Sequence, residues 1–189
     1  MDVESLKRKT AKQILAESFY ELAEEKSVDK ITVTDITENC GYSTTTFYRH
    51  FKDKYDLMVW GYTRTLEGIM NRVGPGGSSW HQACLECAQL FYKERTYLKN
   101  LLLNTSGFDA FSRNMMTIHF DGMKSMLQRG AGADKIDIRM EMCARAYCHG
   151  AVDLSCEWIM GYYEVSPEEL TQAFVDSLPA MLRPYLITE

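Results

Sequence analysis

The chain has 189 residues, with 21 Lys or Arg against 26 Asp or Glu and a formal net charge of −5. That length allows one or two domains with a sizeable core, and the acidic balance excludes a generic binder of polyanions. No window approaches roughly 18 uninterrupted apolar residues and the charged N-terminus lacks an apolar leader, which predicts a cytoplasmic protein with no membrane partner.

In chain order, Ala11, Ile14, Leu15, Phe19, Leu22 and Ala23 recur at helical spacing and predict an amphipathic helix over residues 5–26. Thr32, followed three residues later by Asp35, is a variant capping box, with Ile31 and Ile36 spaced as a hydrophobic staple. The helix it opens runs to about Cys40 and stops at Gly41, the residue best able to take positive φ. Ser43 caps a second short helix over about 44–51, and Asp53 caps a third running from Lys54 to about Arg72. Two helices joined by a three-residue turn containing Gly make a helix-turn-helix.

The second helix of such a motif offers its N-terminal residues to base edges. Phe47 and Phe51, four apart, face inward and leave Thr44, Thr45, Tyr48 and Arg49 outward. Arg49 suits a bidentate contact to guanine, and threonine methyls can meet thymine methyls. Tyr48, His50 and Lys54 suit phosphates, which set register without reading sequence. Residues 1–56 hold 9 Lys or Arg against 11 Asp or Glu, so basic charge is local: Lys7, Arg8, Lys9 and Lys12, then Arg49, Lys52 and Lys54. On spacing alone, an ordinary helical subdomain with a threonine-rich solvated face competes with this reading.

Residues 74–79, Gly-Pro-Gly-Gly-Ser-Ser, form the strongest linker signal. Ser79 with Gln82 restarts a helix that continues to about Glu94, and glycine-bearing breaks near 105–107 and 130–132 bound the next helices. From Met140 one apolar stripe reads Ala144, Tyr147, Ala151, Leu154, Trp158 and Tyr162, and a second reads Met142, Cys148, Val152, Cys156 and Ile159. A helix apolar on two faces needs cover on both, the second from a partner subunit. The last helix opens with the capping box Ser166–Glu169 and is interrupted at Pro179.

His81, Cys84 and Cys87 have ligand-like spacing, yet positions 81 and 87 lie about 120° apart on a helix, so no metal is expected. The six cysteines read as reduced core residues. No nucleophile–base pairing, phosphate loop or paired carboxylates appear, which predicts no enzymatic activity and no cofactor.

The run T-V-T-D-I-T-x-x-C-G-Y-S-x-x-T-F-Y-R-H-F-x-D-K resembles the DNA-binding domain of the TetR family of bacterial transcriptional regulators, over about residues 8–60. The resemblance implies an all-α homodimer, with a helix-turn-helix domain over 1–53 and an effector-binding and dimerisation domain over 54–189. By position it implies backbone contacts from Thr34, Thr46, Tyr48, His50 and Lys54, and base contacts from Thr44, Thr45 and Arg49. Tyr147 to Leu182 is similar to the C-terminal domain of such regulators in Firmicutes. It implies a four-helix dimer interface including Ala151, Leu154, Trp158, Phe174 and Leu178. The family also implies an effector cavity, lined by some of Phe91, Phe108, Phe111, Met115, His119, Tyr147 and Trp158. The expected function is that of a repressor, released from a double-stranded DNA operator by an unknown small-molecule effector. Control by a protein partner, or a ligand-binding protein whose helix-turn-helix is incidental, are the alternatives.

Overall fold

The computed structural model describes residues 9–74, 76–106, 110–132 and 136–186. Ten α-helices run through them, with no strand among the described residues: α1 (Ala11–Glu25), α2 (Val33–Cys40), α3 (Thr44–His50), α4 (Lys54–Met70), α5 (Trp80–Lys93), α6 (Arg95–Leu103), α7 (Phe111–Ala131), α8 (Ile138–Met160), α9 (Pro167–Ser177) and α10 (Arg183–Leu186). The chain divides into two compact units between Gly61 and Tyr62, inside α4. This lies beyond the boundary expected after residue 53, because the first turns of α4 pack within the first unit, Trp60 against the Phe51 ring at 5.6 Å.

In the first unit, Thr10 and Gln13 form a reciprocal capping box that opens α1, five or more residues later than its periodicity suggested. Leu15 and Phe19 of α1 are buried, as are Ile36 of α2 and Phe47 of α3. The Ser18 hydroxyl, itself buried, donates to the Ile36 carbonyl at 2.7 Å and accepts from Asn39 Nδ2 at 3.0 Å. That pairing satisfies the one polar side chain α1 turns into the core. Thr32 and Asp35 cap α2 reciprocally, and Gly41 ends it at φ 73°. The Thr32 backbone N–H, then the Thr32 hydroxyl and Lys26, hold the Asp35 carboxyl down at about 2. Ser43 caps α3 by accepting from the Thr46 N–H. The Asp53 carboxylate accepts from the N–H groups of Tyr55 and Asp56 at the head of α4.

A single 3-10 turn, Val28–Lys30, joins α1 to α2 and had no counterpart in the sequence reading. Lys54 explains its placement. The Nζ donates to the carbonyls of Val28, Asp29 and Ile31 at 2.7, 2.9 and 2.7 Å, which uses all three ammonium protons.

In the second unit, α7 packs along α8 and α5 along α9, with α10 against α7. Ser79 and Gln82 cap α5 and the helix ends at Lys93, close to the expected end near Glu94; Glu94, at φ −98° and ψ 19°, leaves the helical region between α5 and α6. No glycine or proline marks that break. Arg95, just after it, donates to the carbonyls of Ile159 and Trp158 at 2.9 Å each. It thereby satisfies open carbonyls at the C-terminal end of α8, where Gly161 takes φ 95°. The break lets the chain present Arg95 there. Helix α9 ends at Ser177, two residues before Pro179, as proline geometry requires.

Lys54→Met keeps the stem and removes the three donors, leaving carbonyls of the 3-10 turn unpaired. Its thermal unfolding should report a loss of about 1–3 kcal/mol, and unchanged unfolding would deny the ammonium this structural role.

Candidate functional site

The structure sorts the expected DNA-facing residues into two groups. Thr34, Thr44, Thr45, Tyr48 and Arg49 are exposed, while Thr46, His50 and Lys54 are half-buried. Phe47 and Phe51 turn inward, 0% and 3% exposed, with ring centroids 5.8 Å apart. Tyr48, at 61% exposure, stands edge-on to Phe47, so its hydroxyl end is thrust outward from a braced ring. The Arg49 guanidinium makes no hydrogen bond or ion pair with any described residue, so its full donor fork is available. The Thr46 hydroxyl lies 3.0 Å from the Ser43 Oγ and is partly committed to the helix cap.

Lys54 corrects the expectation of a phosphate contact. Its ammonium turns inward to three carbonyls, and burial lowers its pKa, the opposite of a cation held ready for an anion. The other expected cations thin out too. Lys9 pairs with Glu17 at 2.8 Å, and Lys12 lies over the Phe51 and Trp60 rings at 5.2 and 5.5 Å. Lys7 and Arg8 lie outside the described residues. Among the described residues, Arg49 of α3 and Lys52 just after it are exposed cations.

The second unit contains a cavity of about 50 Å³. Phe91, His119 and Tyr147, expected at a ligand site, do line it. Phe111, Met115 and Trp158 do not; they are 1%, 0% and 2% exposed in the core, where their bulk holds helices together. Phe108 lies outside the described residues. Trp80, Cys84 and Cys87 line the cavity from α5, and Met70 and Met123 line it from α4 and α7; of these the sequence reading missed the cysteines and Met70. A signal for the cysteines was present: Trp80, Cys84, Cys87 and Phe91 follow at steps of four, three and four, one face of a helix. His81 falls outside that face and is exposed, so it does not join the two cysteines.

Among the described residues, the cavity wall carries no charged side chain. The Tyr62 hydroxyl lies 2.9 Å from His119 Nε2, and the surrounding protein depresses the imidazole to about 4. Burial pushes the Cys148 thiol up to about 12, and burial with Glu86 nearby does the same for Cys87. These groups are neutral near pH 7. Tyr147 donates to the Phe174 carbonyl at 2.8 Å, and the Ser155 hydroxyl donates to the Ala151 carbonyl at 2.8 Å.

The expected dimer residues are corrected by their burial. Trp158 and Leu178 are 2% and 1% exposed within the single chain, and Ala151 and Phe174 line the cavity. Leu154 alone of that set is half-buried without facing the cavity. Much of both apolar stripes of α8 is covered by its own subunit, Ala144, Tyr147 and Trp158 of the first and Cys148, Val152 and Ile159 of the second, while Tyr162 of the first and Met142 of the second stay 72% and 64% exposed. The face of α8 left outward carries Met142, Ala146, His149, Gly150 and Asp153.

Residues 19–59 match the model of bacterial regulatory proteins, tetR family. Residues 78–179 match that of a transcriptional regulator C-terminal region. The chain belongs to the TetR family of bacterial regulatory proteins, whose members bind DNA operators and act as dimers. Among solved structures it is similar to the dihydroxyacetone kinase operon activator DhaS, with TM-score 0.65 and 16% identity over 93% of this chain and 97% of that one. It is similar to NalD, the secondary repressor of the MexAB-OprM multidrug efflux pump in Pseudomonas aeruginosa, with TM-score 0.58 and 18% identity over 94% and 97%. A third likeness, to the Thermus thermophilus repressor FadR in complex with lauroyl-CoA, has TM-score 0.61 and 17% identity over 94% and 96%. At these identities the likeness concerns the fold. A search of curated proteins finds no match.

His119 gives the second unit a pH signature. Its folded pKa of about 4 lies below the ordinary 6.5, so on acidification the unfolded chain takes the proton first. The stability this neutral histidine supports is present above pH 6.5 and is lost as pH falls toward 4. His119→Gln, which keeps a partner for Tyr62 without titrating, should flatten that part of a stability–pH curve; an unaltered acid limb would show that His119 does not carry it.

Proposed function

We propose that this regulator is a cytoplasmic transcriptional repressor that reads its operator through α3 and is released when an effector occupies the cavity of the second unit. The observation that carries the DNA assignment is the outward face of α3. Two threonines, a braced tyrosine and an unpaired arginine lie together above a core sealed by Phe47 and Phe51. The release half of the proposal is supported by Met70 and Tyr62. Both sit on α4, the helix that begins in the DNA-binding unit, and one lines the cavity while the other meets His119. A ligand that favours one state by about 1–3 kcal/mol shifts DNA affinity roughly 5- to 150-fold.

Control by a protein partner is supported by a different feature. Tyr92, Tyr162, Tyr163 and Val165 are 57%, 72%, 45% and 37% exposed. The Tyr92 ring lies 6.1 Å from Trp158, and Trp158 Nε1 donates to the Val165 carbonyl at 2.9 Å, so both flank one buried indole. A docking protein would find aromatic surface there.

For assembly, the burial of Trp158 and Leu178 within the single chain moves the proposed interface to the outward face of α8. Ala146 and Gly150 lie one helical turn apart and allow close approach of a second copy, and Met142, at 64% exposure, gains most from cover. Sedimentation should show a dimer of about 43 kDa, twice 21.7 kDa, and Ala146→Glu should yield folded monomers. A monomeric wild-type chain would refute the assembly.

Operator binding is tested with duplexes selected from a random pool. Arg49→Ala should lose about 1–3 kcal/mol on the selected site and relax preference at one base position. Equal titrations for wild type and variant at two salt concentrations would remove the recognition role of α3.

A further inference from the structure

We propose that the cavity of the second unit takes a compact, uncharged, largely apolar molecule bearing one hydrogen-bond acceptor, such as a carbonyl or ether oxygen, which the Trp80 indole N–H receives. This rests on the reading of the cavity as the effector site and names the chemistry of what enters it.

The absence of charge on the wall comes first. Among the described residues no Lys, Arg, Asp or Glu lines the cavity, and the titratable groups that do are held in their neutral forms, His119 low and the thiols high. An ionised ligand would lose its hydration and find no counter-charge, a cost of several kcal/mol or more. Carboxylates, phosphates and ammonium compounds are thereby disfavoured.

One polar group on that wall lacks a partner. Trp80 lines the cavity and is 7% exposed, yet its Nε1–H has no hydrogen-bond partner among the described residues. The Tyr147 hydroxyl is near enough to feel this N–H, with ring centroids 6.2 Å apart, but the pair does not reach hydrogen-bond geometry. An indole nitrogen is a donor only, so an acceptor on the ligand is what completes it. The hydroxyls of Tyr147 and Ser155 are already matched, to the carbonyls of Phe174 and Ala151, and His119 Nε2 is paired with Tyr62.

Size sets the last condition. About 50 Å³ is well below the roughly 150 Å³ that holds a benzene, so the ligand is small or the wall yields. Met70 of α4 and Met123 of α7 are the lining side chains best able to yield, being unbranched and rotatable. Their withdrawal enlarges the cavity without breaking a hydrogen bond made by a side chain.

The test uses the full chain and four matched probes: cyclopentanone, cyclopentane, cyclopentanecarboxylate and cyclopentylammonium. Indole N–H signals are followed in proton–nitrogen correlation spectra, with Trp80→Phe assigning the Trp80 signal. Cyclopentanone should bind and move that signal downfield; cyclopentane should bind without a downfield shift, and neither ion should bind. Trp80→Phe should weaken the ketone about three- to tenfold and leave the hydrocarbon unchanged. The proposal is overturned if an ion binds as tightly as the ketone, if saturating ketone leaves the indole signal in place, or if no probe binds. A separate gel shift with selected duplex reads the parent proposal. Ketone binding at Trp80 without DNA release supports the ligand class and removes the effector role. DNA release by an ion bound in the cavity does the reverse.

Discussion

Helix α8 carries more apolar surface than one neighbour can cover, and the second unit is arranged around that fact. Ala144, Tyr147 and Trp158 are buried on one side, and Cys148, Val152 and Ile159 on the other. Helix α7 lies along it, α6 crosses its end, and Arg95 closes its last carbonyls. The cavity follows from residue size along this helix. Where Trp80 and the α5 cysteines approach, α8 offers Ala151, Val152 and Ser155, too small to fill the space between large neighbours. The same helix thus supplies the core, the void and, on its remaining face, the surface proposed for a second copy.

The first unit solves a different problem, holding three short helices together with few apolar residues. Polar groups turned inward do much of this. Ser18 bridges Ile36 and Asn39, and Lys54 gathers three carbonyls. Lys12 is drawn over two rings. Cations used in this way are withdrawn from the surface, which fits the chain's net acidity. Attraction to DNA then rests less on bulk charge than on the shape and donors of α3, an arrangement that favours discrimination over non-specific affinity.

What could be read from sequence tracks how local the cause is. The caps at Thr32, Ser43, Ser79 and Ser166 and the stop at Gly41 were legible because capping is settled within four residues. The inward turn of Phe47 and Phe51 was legible from a spacing of four. The fate of Lys54 was not, since its partners lie 23 to 26 residues away and a lysine after a recognition helix reads as a phosphate contact. The dimer stripe failed for a related reason. Periodicity shows that Trp158 and Leu178 seek cover but cannot say which surface provides it.

The three tryptophans occupy separate surroundings, and this makes the molecule a reporter on itself. Trp60 lies in the first unit against Phe51 and under the Lys12 ammonium. Trp80 stands on the cavity wall, and Trp158 is sealed at the end of α8. Indole emission depends on polarity and on nearby quenchers, so chains retaining one tryptophan each would give spectroscopically distinct views of three regions. Light absorbed by a single residue type can thus follow the recognition unit, the void and the core, one variant at a time, with no dye attached.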